Sequence, residues 1–116
     1  MKKGNINMIN FDVSSDSTCD LYAQEIKDMN IHFVPLCFTI DKNGELNEYY
    51  DNFSDYQQYV DYYNQLRSGA VSKTSMLNYA AHLEHFTKMA QAGVKNAIHF
   101  TISYALSPIQ TSIVCA

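Results

Sequence analysis

Along the chain the spacing of apolar positions changes several times, and each change marks an element. Met8 to Val13 reads as a short strand that runs into SSDSTCD, a cluster of turn formers and helix-capping types. A helix is expected to begin there, because Tyr22, Ile26 and Met29 recur at i, i+4 and i+7 while Gln24, Glu25, Lys27 and Asp28 fill the other face. The run IHFVPLCFTI is apolar and β-branched enough for a strand, but Pro35 has no N–H for a ladder and marks an edge, a bulge or a strand start. The Asn-Gly pair of DKNGEL then predicts a hairpin in which Leu46 to Tyr50 returns beside Phe38 to Ile40.

Ser54 and Gln57 have the spacing of a capping box, and Tyr56, Tyr59, Tyr63 and Leu66 continue at helical spacing to Gly69, a left-handed stop. The tyrosine stripe reads as amphipathic packing rather than a ring-stacking site. AVSKTSM reads as a loop. Asn78 caps a further helix whose Tyr79, Leu83, Phe86 and Ala90 are expected to face inward, and Gly93 closes it. Ile98, Phe100 and Ile102 alternate as a strand does. Ser107-Pro108-Ile109-Gln110 is a second capping box, with proline at the first helical position, where its missing N–H costs nothing. Strands interleaved with helices predict an α/β fold, a layered α/β/α domain with a largely parallel sheet, as one unit over residues 1–116.

Composition removes several functions. A net charge of -4 and scattered lysines give no basic stripe for a phosphate backbone, so nucleic acid is not an expected partner. Cys19, Cys37 and Cys115 form no C-x-x-C pair and are odd in number, which suggests neither a zinc site nor a disulfide framework and places the chain in the cytoplasm. Asn5, Asn7 and Asn10 interrupt what would be the apolar core of a signal peptide, and no run reaches the roughly 18 apolar residues of a membrane span. No cofactor motif is present: there is no P-loop, no G-x-G-x-x-G and no G-x-S-x-G elbow. His82 and His85 lie at i, i+3, but no further ligand accompanies them, and a half-buried or solvated pair is expected rather than a metal site.

In open α/β sheets a ligand lies beyond the carboxyl ends of the strands. SSDST, KTSM and SYALS are expected to meet there, and all three carry hydroxyls. Helix N-termini and hydroxyls together favour an anionic guest such as a carboxylate or phosphate. Ser107 is expected to act as a cap. Ser103, at a strand end, has no helix of its own and is the better donor to a guest. Asp16 is expected to hold loop N–H groups in an Asx-type turn.

DSTCDL at 16–21, VPL at 34–36, KTS at 73–75 and ISYALSPIQTS at 102–112 resemble, in order and spacing, the N-terminal half of the DegV family of bacterial lipid-binding proteins. The resemblance implies a fatty-acid carrier whose two lobes enclose an acyl chain with its carboxyl head in the cleft between them. It implies a second partner, a fatty acid kinase subunit that phosphorylates the carboxyl, and a carrier that is not itself an enzyme. The family's T-S-Q-P-S motif puts its threonine at Thr74, and its second serine-rich motif puts a serine at Ser103; these are the implied head-group donors. Asp16, Ser17 and Ser75 are candidates to stand behind them. Met76, Leu77, Asn78, Tyr104, Pro108 and Ile109 depart from the two motifs.

The resemblance covers about the first two fifths of a usual member, so the C-terminal lipid-enclosing lobe is expected to be absent. Two other readings follow from that. A lone lobe leaves an apolar face open and is expected to self-associate as a homo-oligomer without an independent ligand function. A small α/β hydrolase or phosphate-ester enzyme is the third reading, with Ser103 as its nucleophile.

Overall fold

The structure, a computed structural model, describes residues 10–116. Met8 and Ile9 of the expected first strand, and most of the segment weighed above as a signal peptide, lie outside the described residues. The first described strand is β1, Asp12–Asp16, so SSD continues the strand instead of opening a loop. Central strands of parallel sheets are ordinarily apolar runs. Here Ser14, Ser15 and Asp16 are buried, and each finds hydrogen-bond partners inside the fold.

A 3-10 turn, Ser17–Cys19, follows, and helix α1, Ala23–Asp28, starts later than its sequence pattern suggests. Tyr22 and Met29 are exposed; Ile26 alone of the expected apolar face is partly covered. Pro35 divides the next apolar run between two sheets. Strand β2, His32–Val34, ends before it, and β3, Cys37–Lys42, begins two residues after it in a different ladder. A residue without an N–H fits the point where the backbone changes partners.

The hairpin forms as the sequence predicts. Strand β4, Glu45–Tyr50, runs antiparallel to β3 with Phe38 opposite Tyr49 and Ile40 opposite Asn47. Asn43 and Gly44 have φ of 55° and 85°, the left-handed pair that a two-residue turn of this twist needs. AVSKTSM is not a loop: β5, Val71–Ser75, pairs antiparallel with the other edge of β3. An isolated two-stranded hairpin is marginal in water, and a third strand covers its open edge.

Helix α2, Tyr56–Arg67, is capped one residue later than expected. Asp55 Oδ1 accepts from Gln58 N at 3.1 Å, and Gln58 Oε1 accepts from Asp55 N at 3.2 Å; Ser54 adds its own N–H to Gln58 Oε1. Helix α3, Tyr79–Gln91, begins at Asn78, whose side chain accepts from Ala81 N at 2.9 Å, and ends before Gly93, at φ 92°. Asn78→Ala should therefore lower stability by about 1 kcal/mol, read by chemical denaturation at pH 7. The buried face of α3 is not the expected one. His82 and Met89 are buried, whereas Tyr79 and Leu83 are exposed, a rotation that hidden polar partners for the histidines make possible.

Strand β6, Ala97–Phe100, returns to the first sheet, and α4, Ile109–Cys115, closes the described chain. Pro108 rather than Ser107 occupies the position before α4 and provides no side-chain cap, so the capping box expected at Ser107 and Gln110 does not form. One sheet is wholly parallel, in the order β2-β1-β6; the other is antiparallel, in the order β4-β3-β5. The layered α/β fold with a parallel sheet holds, with the antiparallel sheet added to it.

Each sheet has its own apolar cluster. Val34, Leu77 and Ile109 centre the one that joins β2 to α4, with Leu36 and Ile102 against it. Phe38, Ile40 and Ala70 centre the other, under Phe53 and Tyr62 of the α2 region.

Candidate functional site

The carboxyl ends of β1 and β6 are tied by one side chain. Asp16 accepts from Thr18 N at 2.9 Å, which makes the Asx-type turn, and from the hydroxyls of Thr18 and Thr101. A fully buried carboxylate thus joins the turn after β1 to the segment leading to Ser103. Ser17 Oγ accepts from Leu36 N at 3.0 Å and brings the Pro35 connection to the same end of the sheet. Leu77 packs in one cluster with Leu36 and Ile102, so the segment after β5 converges there as well.

Thr74 lies in β5 opposite Phe38, and cross-strand partners share a face, so it belongs to the α2 side of the antiparallel sheet; Ser75, opposite Cys37, belongs to the other. Both are exposed, as is Ser103. Ser103 opens a turn of its own: its Oγ accepts from Ala105 N at 3.2 Å, and its carbonyl accepts from Leu106 N and Ser107 N. Among the described residues its hydroxyl proton has no acceptor. Asp16 and Ser17 are thereby brought to the segment before Ser103, while Thr74 and Ser103 share no hydrogen bond.

Beside Ser17 is a half-open cavity of about 150 Å³, bounded by Leu21, Phe33, Asp51, Phe53 and Tyr59. Burial raises the Asp51 carboxyl; the Ser17 hydrogen bond opposes that shift and the Asp20 charge adds to it. Burial likewise raises the Tyr59 hydroxyl, with Asp51 contributing. The walls are mostly apolar and aromatic.

The sequence pattern did not reveal a polar cluster that joins α3 to β1, β6 and α4. Ser14 Oγ lies 2.7 Å from His85 Nε2 and 2.8 Å from His99 Nδ1. His82 Nδ1 lies 2.5 Å from Ser112 Oγ. Burial lowers all three histidines, His85 to about 4, where the neighbouring His99 adds to the effect. A signal existed: Ser14 and His99 are registered partners in adjacent parallel strands, but that register is visible only after folding.

Ser14 beside two imidazoles has the outline of a nucleophile with its base. The serine has no exposed surface, however, and a hydroxyl closed to solvent meets no substrate. Ser103, the serine that is exposed, has no histidine as a hydrogen-bond partner among the described residues. No group of three His, Cys, Asp or Glu among the described residues could hold a metal ion. Likewise no helix among them is long and apolar enough to cross a membrane.

A family model described as "Uncharacterised protein, DegV family" matches residues 10–116. A DegV domain-containing protein of Clostridium perfringens is 30% identical over 109 residues, which cover 94% of this chain and 36% of that protein. A stearic-acid-binding protein from Eubacterium ventriosum superposes with a TM-score of 0.65 at 20% identity, over 90% of this chain and 34% of its own. A Thermotoga maritima protein whose structure revealed fatty-acid binding superposes with a TM-score of 0.71 at 20% identity, over 92% and 38%. The chain therefore spans little more than a third of each of these relatives. The match of the family model over all the described residues, on the fold just described, decides the assignment: this chain belongs to the DegV family.

Proposed function

We propose that this chain binds a long-chain fatty acid as a DegV-type lobe and supplies half of the site for the carboxyl head. The hydroxyls of Thr74 and Ser103 donate to the carboxylate, with Asp16, Ser17 and Ser75 behind them. The observation that carries the reading is Asp16. Its buried carboxylate holds the loop after β1 against Thr101, two residues before Ser103, whose acceptor is engaged with Ala105 N and whose proton is free to donate. The fatty-acid binding of the structural relatives supports the same ligand class.

The cavity near Ser17 is smaller than the roughly 300–1,000 Å³ that encloses a drug-sized ligand. The remaining walls of an acyl tunnel would come from a second lobe, and a fatty acid kinase subunit would act on the presented carboxyl. The lobe itself is a carrier in the cytoplasm, not a catalyst. Alone, it should bind a long-chain fatty acid with a Kd of about 0.1–1 mM, or about 4–5.5 kcal/mol. Ser103→Ala removes one donor to a charged group and should weaken binding about tenfold in a titration at pH 7.5, with the unfolding midpoint lowered only slightly by loss of the exposed bond from Ala105 N. An unchanged affinity in that variant contradicts the assignment of Ser103.

A second reading has its own observation. Phe100 and Leu106 are 55% and 75% exposed beside the proposed site, an apolar surface suited to association. Light scattering that shows larger species as concentration rises supports self-association, and a clean monomer at high concentration removes it.

A further inference from the structure

The face of the parallel sheet under α3 gathers polar and titratable side chains from five elements. From β1 come Asp12, Ser14 and Asp16; from β2, His32; from β6, His99. Helix α3 contributes His82 and His85, with Lys88 close enough to act on His85, and α4 contributes the uncharged Ser112. His32 is occupied with Asp12 at 2.7 Å. The other three rings pack together: His82 and His85 have centroids 6.0 and 5.9 Å from His99, and Phe86 fills the space between.

Hydrogen-bond accounting assigns the protons. Ser112 Oγ has the Leu77 carbonyl at 2.9 Å and the Ile109 carbonyl at 3.2 Å as acceptors for its one proton, which leaves it to accept at 2.5 Å from His82 Nδ1–H. His82 Nε2 is then a bare lone pair, buried and without a partner among the described residues; His99 Nε2 is also buried and unpartnered among them. Ser14 has a single hydroxyl proton between two ring nitrogens, which suits one donor ring and one acceptor ring. Neutral histidines satisfy this arrangement. Protonating His85 and His99 together makes both rings donors, strands the Ser14 proton and sets two positive rings 5.9 Å apart. Protonating His82 creates a buried N–H with no acceptor.

We propose that His85 and His99, bonded to the Ser14 hydroxyl, and His82, packed on His99, form an acid-sensitive latch that holds α3 on the parallel sheet and releases it as pH falls. The latch lies between the two segments assigned to ligand binding. Helix α3 directly follows residues 74–77, and β6 leads directly to 101–103. Release would loosen both, and the latch itself stands on the packing alone, whether or not those segments meet a lipid.

Each of the three rings is held below the ordinary histidine value of 6.5, so the unfolded or opened chain binds more protons than the closed one below that pH. The latch is intact above about pH 6.5 and is lost as pH falls towards the closed-state value of His85, about 4. Asp16 acts against this by favouring protonated His82 and His99, but burial dominates at both rings. Each histidine held neutral lowers the closing constant by up to about tenfold per pH unit, less where solvent screens the ring.

The test follows two readouts on the full chain between pH 7.5 and 4.5. Ring resonances in NMR should give midpoints below 6.5 for His82, His85 and His99, and amide protection factors should fall in α3 at a higher pH than in β3, β4 and β5. Midpoints of 6.5 or more for the three rings, or loss of protection in both sheets at the same pH, would overturn the latch. The double variant His85→Gln, His99→Asn keeps a non-titrating amide near each bond to Ser14. Its closing constant should fall at least about tenfold less than the parent's between pH 7 and 5; an equal fall counts against the latch. If that variant does not fold, the exchange measurement on the unaltered chain decides.

Discussion

Replacing Asp16 by alanine should cost the fold about 3–4 kcal/mol, measured by urea denaturation at pH 7. The carboxylate is fully buried and receives three donors, the Thr18 N–H and the hydroxyls of Thr18 and Thr101. Hydrogen bonds to a charged group contribute about 1.5–3 kcal/mol each, but the two hydroxyls can turn to other acceptors, so the backbone N–H and the emptied volume set most of the loss. Against a domain stability of about 5–15 kcal/mol this is a large fraction. Asp16→Asn should cost less, since one oxygen remains to accept from Thr18 N while its NH2 confronts a hydroxyl. A loss under about 1 kcal/mol for Asp16→Ala would remove the carboxylate from its position as the tie between β1 and β6. Proposed ligand binding should suffer with it, because Ser103 lies two residues beyond Thr101.

Ile109→Ala should be the second large loss, about 2–4 kcal/mol. Ile109 is 1% exposed and sits with Val34 and Leu77, so it is where α4, β2 and the segment after β5 meet. A cavity there weakens the packing that brings residues 74–77 towards Ile102. Ile109→Val, which removes one methylene, should cost about 1 kcal/mol. Equal effects of the two variants in denaturation would contradict a close-packed position. Val114→Ala on the same helix should be near neutral, because that side chain is exposed.

Local chemistry explains which features of the fold were legible. The Asn43-Gly44 turn, the Asn78 cap, and the stops at Gly69 and Gly93 depend on a few neighbouring residues, and all appear where the sequence puts them. The features that were misread depend on residues far apart. β5 looked like a loop because Ser72, Lys73, Thr74 and Ser75 have little apolar content; its strand identity comes from the open edge of β3 and the bond from Tyr62 to Ser72. SSD looked like a loop because buried serine and aspartate need partners, and those partners are 71 to 85 residues away.

The face of α3 was misread for the same reason. Hydropathy turns Leu83 inward, but the bond to Ser112 buries His82 and the bond to Ser14 holds His85 half-buried instead. The capping box at Ser107 failed because a helix start is fixed by backbone geometry as well as residue types, and Pro108 took the capping position without a side chain to fill it. Of the proposed site, the ordered motifs were visible in the sequence, and the tie from Asp16 to Thr101 was not. Ser103, expected from the sequence as a donor to the guest, is engaged as an acceptor in a turn of its own that the sequence reading did not foresee.

The most direct test of the lipid-binding account is a backbone NMR titration of the chain with a long-chain fatty acid held below its aggregation concentration. The account requires saturable shifts centred on residues 16–17, 74–75 and 101–103, weak affinity, and loss of the response in a Thr74→Ala, Ser103→Ala double variant that remains folded. Saturable shifts centred elsewhere, or a response unchanged in the double variant, would contradict it.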